Sequence, residues 1–356
     1  MEIENILADK EILRKLGVDI FSTERKYWFV RTQKGTYYED FINDEFIGIE
    51  WDKVSDIGFI KNDNEDDLKE EILRQYPKVE RPGYVAKQIL KFCNSMKTGD
   101  IVLIPSEKSK WITFGEILDD NVYLYEEDDD YFQRILDEFF DDAEKKEEKT
   151  VLKKRRRVKW IKSVKKSELD PYLYSIIYSH NAVVEADVYS VFIDRMLSQF
   201  YIKGDEAYYT YKVNRKKNIP YKDMLKFLNN NNEIIEYIKI KYPELELNTD
   251  DFVIKINVQS KGPVQLKGMA AGILIVGLGI GILCGCDMEL NILGMDFKYK
   301  TEGLPKIIST VIDLKNKLDE SKDEDLNKLK EELLKDKENL EIEVPGEKIE
   351  NKKVLE

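Results

Sequence analysis

The sequence predicts an α+β protein in three parts: an N-terminal β-barrel, a small α/β module, and a C-terminal glycine-rich apolar segment with flanking strands and helices. Three observations predict this class. Short β-rich runs alternate with turns over the first half of the chain, helical and strand patterns mix from residue 186, and residues 268–286 contain no charged side chain. The predicted domains are a helical extension (1–25), the barrel (26–185), an α/β linker module (186–260), the apolar segment with flanking strands (261–300) and a charged helical tail (301–356).

Composition limits the classes of function. A net charge of −13 over 356 residues argues against a protein that coats DNA or RNA, because that affinity comes from Lys and Arg neutralising phosphates. A local basic strip could still bind a nucleic acid. Three cysteines and a charged N-terminus without a signal-peptide pattern predict the reducing cytoplasm.

The barrel is predicted from six runs that mix β-branched or aromatic residues with polar ones. They are YWFVRT, FIGIEW, DIVLIPS, WITFGEI, NVYLYEE and RRVKWIKSV. One helix, GYVAKQILKFCNSM, interrupts them, with Val85, Ile89 and Cys93 near helical spacing. The acidic stretch over residues 126–150 is predicted to be a solvated helix or loop.

The linker module combines helical patterns with a strand pattern. VYSVFIDRMLSQF, YKDMLKFLN and NEIIEYIKIKY predict helices, and EAYYTYKVN predicts a strand. A strand and turn, DFVIKINVQSKGPVQLKG, precede the apolar segment, and MELNILGMDFKYKTEG predicts a strand after it. The tail begins with the amphipathic helix LPKIISTVIDLKNKLDE and continues in a strongly charged one.

Five motifs of the first half occur in a recognisable order. They are a Trp-x-Val-Arg strand at Trp28, the FIGIEW strand that ends at Trp51, GDIVLIP, FGE, and the basic RRVKW strand that ends at Trp160. In this order, residues 26–185 resemble the EVE/PUA-like domain at the amino end of Mrr-type restriction proteins and of several prokaryotic antiphage-defence proteins. The resemblance implies a sensor barrel whose pocket holds a modified base or another small planar ligand.

Matching the motifs places the candidate ligand-binding residues. They are Trp51, Tyr37, Tyr38, Trp111 and Phe114, together with the weaker candidates Ser179, His180 and Asn181. Aromatic faces stack on planar rings, and a neighbouring polar group then recognises the edge of the ring. The alternative is that these aromatic side chains form the core of the barrel. The basic run KKRRRVKWIKSVKK could contact phosphates, or it could be a solvated strand beside the acidic insert.

The apolar segment GMAAGILIVGLGIGILCGC would span about 29 Å as one helix, close to the hydrocarbon thickness of a bilayer. Its glycines recur at four-residue spacing, as Gly268 and Gly272 and then as Gly277, Gly281 and Gly285. This spacing permits close contact between membrane helices. The segment is therefore predicted to oligomerise in contact with the membrane, as a span, a re-entrant hairpin or a triggered insertion, with a buried oligomer core as the alternative. A dinucleotide-binding turn is disfavoured because Ile282 takes the place of the third glycine.

A sensor barrel joined to such a segment resembles the layout of membrane-active antiphage effectors. The predicted function is to sense a nucleotide, a modified base or an oligonucleotide messenger and to control a membrane-disrupting or channel-forming oligomer. The expected partners are that ligand, membrane lipid, further copies of the chain and a nucleotidyltransferase-type enzyme. The expected location is the cytoplasmic side of the inner membrane, or the cytoplasm before activation. No catalytic residue, metal or cofactor is expected.

Two alternatives come from other classes. An Mrr-like restriction endonuclease acting on modified DNA would use Gln259 and Lys261 on a predicted strand, with Glu244, Glu246 and Asp251 upstream as metal ligands. However, GPVQLKG follows as a turn and strand, where a supporting helix is expected. The other alternative is a non-toxic scaffold that oligomerises through the glycine-rich segment.

Overall fold

The computed structural model describes residues 6–7, 10–62, 64–126, 150–256, 261–286 and 303–347. The chain divides into two compact units. Residues 24–197 form the first, called here the inserted unit, and residues 1–23 together with 198–356 form the second, the terminal unit. The chain thus begins in the terminal unit, forms the whole inserted unit, and returns. This grouping differs from the sequence division, which set residues 1–25 apart and placed a boundary after residue 185.

The strands of the described residues are β1 (Asp19–Phe21), β2 (Tyr27–Val30), β3 (Phe46–Ile49), β4 (Ile101–Pro105), β5 (Trp111–Ile117), β6 (Tyr123–Leu124), β7 (Lys154–Lys165), β8 (Val183–Glu185), β9 (Phe200–Lys203), β10 (Glu206–Val213), β11 (Val253–Ile256), β12 (Gly262–Met269) and β13 (Ile342–Glu343).

The α-helices are α1 (Lys10–Lys15), α2 (Tyr38–Asn43), α3 (Ile57–Lys61), α4 (Glu65–Gln75), α5 (Pro82–Leu90), α6 (Tyr174–Ile177), α7 (Ser190–Leu197), α8 (Tyr221–Lys241), α9 (Ala270–Leu283), α10 (Leu304–Asp319) and α11 (Glu324–Leu340). Short 3-10 turns over Gln33–Gly35 and Glu107–Ser109 matter for the candidate site.

The inserted unit is built on an open half-barrel with the strand order β3-β7-β5-β4-β2-β8, and β6 pairs with β7. Strands β2 and β4 are parallel, and the other pairs are antiparallel. Every residue of β4 is buried, as expected for a central strand that is covered on both faces. Separate apolar clusters lie on the two faces, one around Trp28, Phe41 and Phe92 and the other around Phe29 and Phe114.

A bulge curls this sheet where β5 pairs with β7. The register shifts between Phe114 and Gly115, so Phe114 lies opposite Lys162 while Gly115 lies opposite Trp160. A Cβ atom at Gly115 would come within 2.3 Å of Val158 Cγ1 and 2.6 Å of the Trp160 ring. Glycine at position 115 therefore allows the two strands and the tryptophan to pack together.

The terminal unit contains a second sheet, with the order β1-β9-β10-β12-β11 and with β13 paired to β10. Its core joins one face of this sheet to helices α8, α9, α10 and α11. In the middle lies α9, whose residues are all buried except Ala271. Tyr209 and Tyr211 of β10 contribute buried rings to the same core.

The predicted membrane segment is wrong. Residues 268 and 269 end strand β12, α9 has only 14 residues, and Cys284 and Gly285 form the turn that follows. No helix among the described residues is long and apolar enough to cross a membrane. The predictions that the protein is a membrane, transmembrane or channel-forming protein are therefore wrong as well. An apolar run leaves water as readily in a protein core as in lipid, and this one is buried within the terminal unit.

The glycine spacing has a local explanation. A Cβ atom at Gly277 would lie 2.6 Å from the Tyr209 ring and 2.8 Å from the Phe200 ring, so this glycine lets α9 approach the sheet. At Gly268 a Cβ would lie 2.5 Å from the carbonyl oxygen of Asp251, and at Gly272 it would lie 3.1 Å from the Phe252 ring.

The two last glycines of the segment close the helix. Gly285 has a φ of +74°, and its N–H donates to the Ile282 carbonyl. The N–H of Cys286 donates to the Gly281 carbonyl. This pair of hydrogen bonds is a Schellman cap, which favours glycine at the left-handed position.

Gly277→Ala and Gly279→Ala should therefore change stability in opposite directions. A Cβ at Gly279 meets Ile238 and Leu314 at 3.5 and 3.6 Å, which are ordinary contacts. Gly279→Ala should raise the free energy of unfolding by about 0.5–1 kcal/mol through helix propensity. Gly277→Ala should lower it by about 1–3 kcal/mol through overpacking against the two rings.

Urea denaturation with two signals measures this difference. All four tryptophans, Trp28, Trp51, Trp111 and Trp160, lie in the inserted unit, so their fluorescence reports on that unit. We expect the glycine substitutions to shift the circular-dichroism transition and the hydrogen exchange of α9 amides, with little change in tryptophan fluorescence. Equal stabilities of the two variants would contradict the packing explanation.

Candidate functional site

The candidate site lies at one end of the half-barrel, where several strands begin or end. Because β2 and β4 are parallel, their carboxyl ends lie at the same edge of the sheet. The amino end of β5 joins them there, since Ile112 lies opposite Pro105, and the carboxyl end of β7 follows, since Lys165 lies opposite Trp111. The loops of residues 31–38, 106–110 and 166–182 therefore meet at this edge.

An exposed tryptophan lies beside a lysine at this edge. The Trp111 side chain is 40% exposed although its neighbours on β5 are buried. The Nζ atom of Lys165 lies 5.4 Å from the centre of the Trp111 ring, in cation–π contact. One face of an indole is thus available at the surface, next to a positive charge.

A chain of hydroxyl groups lies next to this pair. The Oγ1 atom of Thr113 is 2.6 Å from the Tyr38 hydroxyl oxygen and 2.8 Å from the Ser163 Oγ atom. Thr113 and Ser163 are opposite each other and two residues along from Trp111 and Lys165, so all four side chains project from the same face. Thr113 is buried, whereas Ser163 is exposed and can donate to or accept from a ligand.

The same edge contains an open cleft of about 600 Å³. We call it the basic cleft, and its lining residues are Lys108, Lys110, Trp111, Lys165, Lys166, Ser167 and Tyr174. The Nζ atom of Lys166 lies 3.2 Å from the hydroxyl oxygen of Tyr178, which is exposed, and 4.9 Å from the centre of its ring. Glu107 forms an ion pair with Lys108 at 3.3 Å, and the cleft itself is lined by four lysines and no acidic residue.

Two strained turns lie next to each other, and Lys108 of one of them lines the cleft. Gln33 and Lys34 have φ values of 48° and 59°, and Lys108 and Ser109 have 52° and 54°, a conformation that few residues other than glycine adopt. The turns contact each other, since a Cβ atom at Gly35 would lie 2.4 Å from the Glu107 Cα. Strained residues of this kind persist where the surrounding structure holds them, and they concentrate at functional sites.

Trp51 lies away from the basic cleft. Ile49, two residues before it, pairs with Lys154 at the start of β7, whereas Trp111 pairs with Lys165 at its end. Trp51 has a φ of +66°, and its carbonyl accepts a hydrogen bond of 2.8 Å from the Lys154 Nζ. The structure therefore separates the two tryptophans that the sequence analysis placed in one pocket.

The surroundings of Trp51 form a second polar group, which we call the Trp51 corner. Burial and the charge of Asp52 raise the pKa of the Glu50 carboxyl, while a hydrogen bond with Gln33 opposes them. The Tyr37 hydroxyl is 3.0 Å from the Thr150 carbonyl oxygen, and burial raises its pKa. Tyr37 itself is buried and packs against Phe41.

The remaining candidates divide between the core and the surface. Phe114 is fully buried in the cluster around Phe29, so it offers no face to a ligand. The Ser179 carbonyl accepts a hydrogen bond from the Arg31 guanidinium, and the Ser179 Oγ atom accepts one of 3.4 Å from the Asn181 N–H. His180 is exposed in the same loop, which leads into β8.

The basic run of β7 begins inside the protein. Lys154, Arg155 and Arg156 are buried, although the two explanations from sequence both expected solvated cations. Arg156 donates hydrogen bonds to the carbonyls of Phe92, Cys93 and Asp119 at 2.7–2.9 Å.

The other two buried cations are also partnered. The Arg155 guanidinium lies between the rings of Phe46 and Tyr125, at 4.0 and 3.6 Å from their centres. Burial lowers the pKa of the Lys154 amine, and its ion pair with Asp52 at 3.3 Å partly offsets that effect. All three cations are thus partnered by groups of the inserted unit itself.

Sequence reasoning missed the hydroxyl chain and the lysines Lys108 and Lys110, whereas Lys165 and Lys166 end the basic run that it named as a possible phosphate contact. Thr113 and Ser163 belong to segments that are 50 residues apart, and only the register of β5 with β7 brings them together. The available signal was the alternation of side chains along a strand. It places residues 111 and 113 of WIT on one face and residues 163 and 165 of SVK on one face. A pairing of these two strands must be assumed before the two faces can be joined.

The endonuclease alternative finds no metal centre in the part of the chain that the structure describes. No group of three or more His, Cys, Asp or Glu side chains there could hold a metal ion. Gln259 lies outside the described residues, and Lys261 immediately precedes β12.

Comparison with known proteins gives a family without an assigned activity. Residues 26–185 match the model of a family described as "Domain of unknown function (DUF8426)". No curated protein and no solved structure matches the chain.

Neighbouring arginines of β7 provide a test of the buried cations. Arg156→Ala should lower the free energy of unfolding of the inserted unit by about 2–4 kcal/mol, because three carbonyls lose a donor and two of these hydrogen bonds are buried. Arg157→Ala is the matched control, since its side chain is 68% exposed and its ion pair with Asp119 is 3.7 Å long. It should cost at most about 1 kcal/mol. Denaturation followed by tryptophan fluorescence measures both, and equal losses would contradict a structural role for Arg156.

Proposed function

We propose that the inserted unit binds a nucleotide-containing ligand at the basic cleft, with a base stacked on Trp111 and phosphates against the surrounding lysines. The observation that carries this proposal is the exposed Trp111 ring beside Lys165, with the hydroxyl chain of Tyr38, Thr113 and Ser163 on the same face. The indole suits the face of a base, the hydroxyl chain suits its polar edge, and the lysines suit the phosphates.

The indole supplies the stacking surface. Every nucleobase has a planar π face, and stacking on an aromatic side chain contributes about 1–3 kcal/mol per base in proteins that bind single strands. Trp111 is already in contact with a cation, whose charge favours an electron-rich ring on the free face. Ser163 can then donate to or accept from the polar edge of the base.

The lysines supply the charge. Lys108, Lys110, Lys165 and Lys166 line one cleft, whose lining contains no acidic residue, although Lys108 is paired with the exposed Glu107. This local excess attracts phosphates although the chain as a whole has a net charge of −13. A single patch on an acidic protein favours an oligonucleotide or another short single strand over a long duplex, and the open shape of the cleft lets a strand continue beyond it.

The place of this binding in antiphage defence stays a prediction from the sequence resemblance, as does a nucleotidyltransferase-type partner. In this view the ligand controls the terminal unit through a mechanism other than insertion of α9 into lipid. The endonuclease alternative is not favoured by any side-chain cluster in the described residues.

Fluorescence anisotropy tests the proposal. The probe is a fluorescein-labelled single strand of about ten nucleotides, within the range of lengths that single-strand binding sites cover. Trp111→Ala should weaken its binding by about 5- to 150-fold, the loss of one stacked base. The control is Leu118→Ala, at the residue that follows the other end of β5, which removes an apolar side chain that is 44% exposed and should leave affinity unchanged.

Two results would overturn the proposal. One is that folded wild-type protein binds neither DNA nor RNA versions of the probe, nor competing mononucleotides. The other is that Trp51→Ala abolishes binding in a folded protein while Trp111→Ala does not, which would place the ligand at the Trp51 corner.

The salt dependence of binding provides an independent measurement. For single strands, log K falls with log salt concentration by about 0.7 for each neutralised phosphate. Lys165→Gln should make this slope shallower by about 0.7, because one phosphate contact is lost. Lys69→Gln, an exposed lysine on α4, is the control and should keep the wild-type slope. Equal slopes for wild type and Lys165→Gln would show that Lys165 contacts no phosphate.

A further inference from the structure

A second aromatic side chain is exposed beside the basic cleft. Tyr178 is 65% exposed, compared with 40% for Trp111, and it caps the carboxyl end of the short helix α6. Tyr174, which lines the cleft, stands four residues earlier, so both rings lie on one side of this helical turn. The ring of Tyr178 therefore lies at the margin of the cleft.

Lys166 connects the two tyrosines to the cleft that it lines. Its Nζ atom lies 4.9 Å from the centre of the Tyr178 ring and 5.9 Å from that of Tyr174, and it donates a hydrogen bond of 3.2 Å to the Tyr178 hydroxyl. The Lys166 backbone is fixed as well. Its N–H donates to the Lys110 carbonyl, and its carbonyl accepts from the Tyr174 hydroxyl, both at 2.9 Å.

The arrangement repeats that of Trp111, where the Nζ atom of Lys165 lies 5.4 Å from the ring centre. Lys165 and Lys166 are consecutive, so their Cα atoms are about 3.8 Å apart. Both line the cleft, and each contacts an exposed aromatic ring. Proteins that bind single strands combine positive charge along the backbone with aromatic side chains on which successive bases stack. The cleft offers these parts twice.

The Tyr178 ring is held before any ligand binds. The N–H of Ser179 donates to the Ile176 carbonyl at 3.1 Å, and the Ser179 carbonyl accepts a hydrogen bond from the Arg31 guanidinium. With the hydrogen bond from Lys166, both the backbone and the hydroxyl end of Tyr178 are fixed. A side chain that is fixed in advance loses less conformational entropy on binding.

We infer that the basic cleft binds two consecutive nucleotides, with one base on Trp111, the next on Tyr178, and the phosphate that links them at Lys165 and Lys166. The inference rests on the nucleotide site proposed above and specifies its ligand, which is an oligonucleotide with at least one phosphodiester linkage rather than a mononucleotide. Lys166 can hold the phosphate and Tyr178 together, because an ammonium group has three donors and the Tyr178 hydroxyl takes one.

Competition with the labelled ten-nucleotide probe tests this inference. The competitors are a 5′-phosphorylated dinucleotide and its two analogues in which one base is replaced by hydrogen, so that the phosphate charge is constant and only one base is lost. The complete dinucleotide should bind wild-type protein about 5- to 150-fold more tightly than the better analogue, as expected for one stacked base. In Tyr178→Ala, this ratio of affinities should fall to about twofold or less, because the second stacking surface is gone.

Two further variants separate stacking from other effects. Tyr178→Phe keeps the ring and loses only the hydrogen bond from Lys166, so its ratio should stay within about threefold of the wild-type ratio. Tyr221→Ala removes a tyrosine that is 80% exposed on α8, and it should keep the wild-type ratio. Circular dichroism and tryptophan fluorescence confirm that each variant is folded.

Three results would overturn the inference: a wild-type ratio near one, a wild-type ratio in folded Tyr178→Ala, or a loss in Tyr178→Phe as large as that in Tyr178→Ala. If Trp111→Ala still weakens binding of the probe in any of these cases, the site for one base on Trp111 stands and only the second base position is wrong. Folded wild-type protein that binds neither the probe nor the dinucleotide would overturn both proposals.

Discussion

The pairing of β5 with β7 is the constraint on which the inserted unit depends. Up to the bulge at Phe114 and Gly115, the register places Trp111 beside Lys165 and Thr113 beside Ser163 on a face that reaches the surface. Beyond the bulge, the same two strands turn Val158 and Trp160 into the core. Because Gly115 has no Cβ atom, the strands can make this change without separating. One irregular residue pair thus divides the sheet into a part that holds the fold and a part that can meet a ligand.

The buried cations at the start of β7 show the opposite use of charge. Taking a guanidinium out of water is costly unless hydrogen bonds replace its hydration, and Arg156 obtains three from carbonyls of two different segments. Two of those carbonyls, from Phe92 and Cys93, belong to the π-helical turn Lys91–Ser95 that continues α5, where the last carbonyls of a helix lack donors of their own. Arg156 thus supplies hydrogen-bond donors to these carbonyls, and the carbonyls replace the water around its charge. This exchange fixes the turn against the sheet.

Helix α9 illustrates why composition alone misassigned a segment. A run of aliphatic residues and glycines lowers its free energy on leaving water, whether it enters lipid or a protein interior. In the terminal unit it is surrounded by the sheet and three other helices, and Gly277 provides the close approach to Tyr209 and Phe200. Its length of 14 residues and its glycine cap are typical of a core helix. The helix begins after Met269 and ends before Cys284, and neither boundary is visible in the continuous apolar sequence.

The sequence by itself determined the α+β class and the position of most local elements. YWFVRT, FIGIEW, DIVLIPS and WITFGEI contain β2 to β5, and VYSVFIDRMLSQF contains α7, because alternation and helical spacing are local properties. Two of its candidate residues, Trp111 and Tyr38, lie in the basic cleft and in the neighbouring hydroxyl chain. Only the tertiary structure decided that Trp51 lies at the other end of β7, that Lys154 to Arg156 are buried, and that α9 is enclosed by its own chain. These outcomes depend on strand register and on which faces are covered, and both are set by contacts between residues far apart in sequence.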